Sequence, residues 1–106
     1  MCSVDSVVEF KAVGVHADAV AREMVTFANT QGGVILLGVS NNGDIEGLDD
    51  SKPWEEWVAN ISGHNIVLPI VTQYEETVVS GKRVGCVEVE KGKGQLSGTI
   101  YVSLQP

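Results

Sequence analysis

Residues Phe27 to Val39, FANTQGGVILLGV, restrict the fold more than any other stretch of the chain. Upstream of them, apolar residues recur at Ala17, Val20, Ala21, Met24, Phe27 and Ala28, the spacing of a helix with one buried stripe. Asp18, near its start, suits the positive end of the helix dipole. The doublet Gly32-Gly33 then supplies the left-handed residue that commonly closes a helix, and lets the chain reverse sharply. Val34 to Val39 is apolar at five of six positions. A strand this uniformly apolar is expected inside a sheet with both faces covered, and its short length between glycines favours a strand over a buried helical turn. Gly38 leaves room there for a close backbone neighbour or a bulge.

The flanking segments extend the pattern. Val7 to Lys11 alternates as a short first strand. Asn41-Asn42-Gly43 marks a tight hairpin, with Asp44 to Leu48 as its return strand. Lys52-Pro53-Trp54 opens a second helix, since proline suits the first turn. Its buried stripe is Trp54, Trp57, Val58 and Ile61, and Gly63 ends it. Val67-Leu68-Pro69 reads as an extended linker, Ile70 to Val79 as a strand, Ser80-Gly81-Lys82 as a turn and Val84 to Glu90 as the partner strand. A flexible loop, KGKGQLSG, leads to a closing strand at Ile100 to Leu104. The order is therefore β-α-β-β-α-β-β-β. It predicts an α+β domain of two layers: a mixed, mostly antiparallel sheet with both helices packed on it. At 106 residues the chain fits one domain spanning 1–106.

Charge narrows the function classes. The formal net charge of -7 argues against strong non-specific nucleic-acid binding, which rests on lysine and arginine. The charge is uneven, however. Asp44, Glu46, Asp49, Asp50, Glu55 and Glu56 are offset only by Lys52, whereas Lys82, Arg83, Lys91 and Lys93 outnumber Glu88 and Glu90 in the last third. No apolar run approaches the roughly 18–20 residues of a membrane span, and the N-terminus lacks a basic start followed by an apolar stretch. Cys2 and Cys86 are too few for a disulfide scaffold and read as two buried or idle thiols. A cytoplasmic location is the expectation.

Three pieces, VEFK at Val8 to Lys11, FANTQGGVILLGV, and NNGDIEGL at Asn41 to Leu48, together resemble the Schlafen AlbA_2 domain in order and spacing. The resemblance implies an AlbA-like fold and a DNA-binding module of the kind found in transcriptional regulators and helicase-related proteins. It implies contact through basic residues at the sheet end and hairpin loops. The candidates here are Lys82 and Arg83 at one turn, Lys91 and Lys93 in the last loop, and Lys11 on the first strand. The bland reading of each is a solvated surface charge. The family's closing Y-x-R-x-G-S reads Tyr101-Val102-Ser103-Leu104-Gln105-Pro106 here, so Ser103 stands where an arginine is expected.

Two alternatives stay open. Schlafen relatives include RNA-cutting members, and metal-dependent cleavage needs converging carboxylates. Glu9 fills one position of that pattern; Val4, with Asp5 one place off, and Ser40-Asn41 stand where the others belong. The second alternative is an interaction or homodimerisation domain, with Trp54 and Trp57 as anchors or simply as core. No GxxxxGK[ST] is present, and His16 and His64 have no metal-ligand spacing. The expectation is a module without catalysis, metal or cofactor.

Overall fold

The structure, a computed structural model, describes residues 7–65 and 70–92. Helix α1 (Ala17–Ala28) buries Val20, Ala21, Met24, Phe27 and Ala28, the stripe expected from the spacing. It ends as the doublet predicts. The amides of Thr30 and Gly32 both return to the Phe27 carbonyl, at 3.2 and 2.7 Å. Gly32 takes a φ of +80°, and a β carbon there would lie 2.6 Å from the Val89 carbonyl oxygen. A β carbon on Gly33 would lie 2.6 Å from the Phe27 ring. The first glycine turns the chain against the end of another strand, and the second clears the ring that anchors the helix.

Strand β2 (Gly33–Leu37) follows at once. It pairs in parallel with β1 (Val8–Lys11), so the first three elements form a βαβ unit. Its other side pairs antiparallel with β4 (Lys82–Val89), which pairs antiparallel with β3 (Thr72–Val79). The sheet order is β1-β2-β4-β3, a mixed and mostly antiparallel sheet. Side chains alternate between its faces. Ile35, Leu37, Val87 and Val89 join the helix residues in one core. Val34, Val84 and Cys86 point to the opposite face and are buried too. β2 is thus covered on both sides, as its composition requires. Cys86 is buried, as one of the two expectations for it had it, but is disulfide-bonded and not a free thiol; Cys2 lies outside the described residues.

Helix α2 (Trp54–Asn60) runs on as a π-helical turn, Ile61–Asn65. Trp54, Val58 and Ile61 are buried, and Trp57 packs partly against the core. The Trp54 indole donates to the Asp49 carbonyl at 2.7 Å, which satisfies its buried polar atom and ties α2 to the preceding loop. The expected return strand after Asn41-Asn42-Gly43 shrinks to one bridge, Val39 with Ile45. The amides of Glu46 and Gly47 converge on the single carbonyl of Gly38, which a regular ladder does not permit. Leu48 then donates to the Arg83 carbonyl at 2.8 Å, carrying the chain alongside the start of β4. The linker at 67–69 and the closing strand at 100–104 lie outside the described residues.

Candidate nucleic-acid interface

The β3–β4 hairpin turns at Ser80 and Gly81, both with positive φ (54° and 79°). Two successive left-handed residues match the right-handed twist of the strands and make a short, stiff turn. Lys82 and Arg83 follow directly and, by alternation, point to opposite faces of β4. Lys82 reaches across to donate to the Ile45 carbonyl at 3.2 Å, its stem lying over Gly47. Arg83 donates to the Asp49 carbonyl at 3.0 Å and to Asp50 Oδ1 at 3.1 Å. Its other nitrogen sits 3.7 Å from Glu76 Oε1. The two cations thus strap residues 45–50 to the head of β4.

Neighbouring groups tune this end of the sheet. Tyr74 donates its hydroxyl to Glu76 Oε2 at 2.7 Å. Burial, then the hydrogen bond and charge of Glu76, push the phenol well above the ordinary tyrosine range. Asp49 accepts from the Ser51 hydroxyl and amide, which holds its carboxyl below the usual carboxylate value. The Lys52 ammonium lies 4.2 Å from the Trp57 ring centre and 4.9 Å from that of Trp54. The two rings meet edge to face at 5.4 Å. An open cleft of about 720 Å³ separates α2 from this strand end, with Lys52 and Arg83 among Asp50, Glu55, Glu56 and Glu76.

The remaining sequence candidates fall elsewhere. Lys11 pairs in register with Leu37, which pairs with Gly85, so it shares the Lys82–Arg83 end of the sheet. It sits two strands away, roughly 10 Å. Its side chain is only 18% exposed and lies 3.6 Å from Glu23 Oε1 and 4.0 Å from Glu9 Oε2. Lys91 is exposed past the far end of β4, roughly 30 Å along the strand from Lys82. It lines a shallow depression with Gln31, Gln73, Glu88 and Glu90. Lys93 lies outside the described residues. The structure therefore brings Lys82 and Arg83 together, leaves Lys11 on the same end, and separates Lys91.

Sequence reasoning missed Lys52 as a neighbour of this pair and counted it only against the acidic run. The available signal was the Lys-Pro-Trp-x-x-Trp spacing, which lets a lysine fold back over two aromatic faces. Among the described residues, no group of three or more His, Cys, Asp or Glu side chains is arranged to hold a metal ion. Glu9, the one residue matching the nuclease pattern, lies beside Lys11.

This β-α-β opening, its glycine doublet and the mixed sheet of four strands among the described residues define an AlbA-like α+β domain. The chain matches the sequence model of the Schlafen, AlbA_2 family over residues 5–103 and belongs to that family. Solved structures similar to it include two of bacterial origin. The DIP2311 protein from Corynebacterium diphtheriae is 22% identical, with a TM-score of 0.67 over 83% of this chain and 18% of that one. The N-terminal domain of an ATP-dependent DNA helicase RecG-related protein from Nitrosomonas europaea is 21% identical, with a TM-score of 0.60 over 84% of this chain and 66% of that one. At these identities the likeness is one of fold. The chain spans less than two-thirds of either structure. No curated protein matches it.

Proposed function

We propose that this domain is a nucleic-acid-binding module without catalysis, which meets the phosphate backbone through the β3–β4 hairpin end. Lys82 and Arg83 are the primary contacts, with Lys11 at the same sheet end. Lys91 makes a separate contact, reached only by a strand long enough to follow β4, and Lys93 is a further contact on the strength of the sequence alone. The observation that carries the reading is the anchoring of Lys82 and Arg83 to the carbonyls of Ile45 and Asp49. Both cations are positioned before any ligand arrives, on a stiff turn, and the Lys82 ammonium keeps donors to spare. Family membership supports a nucleic-acid role, as does a fold neighbour whose own name refers to a DNA helicase. In this reading the domain is one part of a longer regulatory protein.

With a net charge of -7 and few cations at the site, binding is weak, and its salt slope reflects a small number of phosphate contacts. The test is a titration of labelled single- and double-stranded DNA and RNA at low and moderate salt. Lys82→Ala/Arg83→Ala loses most of the affinity at low salt and flattens the salt dependence. Equal binding by this variant and the parent protein rejects the reading.

A second reading, homodimerisation, has its own observation. Strand β3 is an edge strand among the described residues, and it and the residue before it carry exposed apolar side chains: Val71 is 53% exposed and Val78 66%. A dimer in light scattering that Val78→Lys dissociates would favour it.

A further inference from the structure

We infer that Asp50 and Glu76 act as an intramolecular stand-in for phosphate, occupying Arg83 and limiting how well the hairpin end binds nucleic acid. The inference rests on the binding reading above and concerns its control. A guanidinium is a planar fork built to take paired oxygens, whether from a carboxylate or a phosphate. In Arg83 that fork is already engaged. One terminal nitrogen serves Asp50 Oδ1 at 3.1 Å and the Asp49 carbonyl at 3.0 Å, and the other faces Glu76 Oε1 at 3.7 Å. A phosphate approaching Arg83 meets two negative charges in the place it must occupy. Lys82 differs: its described hydrogen bond goes to the neutral Ile45 carbonyl, and among the described residues no carboxylate is its ion-pair partner.

The two acids are held unequally. Glu76 is fixed by the Tyr74 hydroxyl at 2.7 Å on its far oxygen, which leaves Oε1 turned toward Arg83. Its side chain is 33% exposed, against 98% for Asp50. Asp50 is therefore the gate that opens, and Glu76 the post it closes against. Glu55 and Glu56 line the same cleft and carry the same charge without being Arg83's ion-pair partners. They provide the control, because neutralising them relieves general repulsion while leaving the fork engaged.

The experiment measures binding of a fluorescein-labelled single-stranded oligodeoxynucleotide over a series of salt concentrations. The parent protein is compared with Asp50→Asn/Glu76→Gln, Glu55→Gln/Glu56→Gln and Lys82→Ala/Arg83→Ala. The released fork in Asp50→Asn/Glu76→Gln tightens binding about fivefold at low salt. It also steepens the salt dependence by somewhat less than one unit, the mark of one added phosphate contact to a single strand. Glu55→Gln/Glu56→Gln gives a smaller gain with no change of slope. Asp50→Asn alone, at a fully solvated side chain, gives about a twofold gain and keeps the test available should the double variant not fold. Equal gains and equal slopes in the two neutralised doubles, with binding still lost in Lys82→Ala/Arg83→Ala, overturn the clamp alone. Undiminished binding by Lys82→Ala/Arg83→Ala overturns the hairpin reading and the clamp with it.

Discussion

Replacing Gly32 by alanine tests the packing on which the whole scaffold depends. Gly32 sits at φ +80°, and an L side chain there costs about 1–2 kcal/mol. The added β carbon would also lie 2.6 Å from the Val89 carbonyl oxygen and 3.1 Å from the Lys91 amide nitrogen. Both are backbone atoms, so no rotamer change relieves the contact. The end of β4 must move, at a further cost of about 1–3 kcal/mol. Alanine recovers about 0.4–1 kcal/mol by restricting the unfolded chain. The net expectation is a loss centred on about 3 kcal/mol, within limits of about 1–5 kcal/mol. For a domain of this size the central value corresponds to a melting temperature lower by roughly 10–25 °C. Gly63→Ala is the matched control, since its β carbon meets nothing within 4 Å and its φ is not positive. Its effect stays within about 0.5 kcal/mol of zero or is slightly stabilising. Urea and thermal unfolding followed by circular dichroism measure both. A Gly32→Ala protein within about 1 kcal/mol of the parent would refute the reasoning.

Other outcomes follow from the same packing. Gly33→Ala drives the Phe27 ring from its seat, which costs about 1–3 kcal/mol and alters the near-ultraviolet spectrum. Trp54→Ala removes a buried ring and its bond to the Asp49 carbonyl, for a loss of about 3–5 kcal/mol in denaturant unfolding. Tyr74 holds its proton more tightly folded than unfolded. Its contribution to stability is therefore fully present below the ordinary tyrosine value of 10.0 and is lost as pH rises through the raised folded value. Ultraviolet titration should show one phenol ionising late, and Tyr74→Phe should remove both that late ionisation and the alkaline loss of stability it causes.

Local rules carried much of this fold. The α1 stripe, its glycine stop and the doubly covered β2 depend on residues adjacent in sequence, where periodicity and backbone sterics decide the outcome. The hairpin after Val39 was less legible. Its return leg is diverted because Glu46 and Gly47 share the Gly38 carbonyl, while Leu48 bonds to a residue 35 positions away. The site divides in the same manner. Lys82 and Arg83 were visible as neighbours at a turn, but charges counted along a chain do not reveal which acids face them. Asp50 reaches Arg83 only through the folded-back loop, and Glu76 only through the β3–β4 register. Lys11 was read as a surface cation, yet the βαβ crossover brings Glu23 of α1 over it.

The most direct test of the account is an amide chemical-shift map of the labelled domain titrated with a single-stranded oligonucleotide at low salt. Changes concentrated at residues 45–50 and 79–83, and suppressed by added salt, are the predicted result. No change at those residues, or changes centred instead on Val71 and the outer edge of β3, would contradict it.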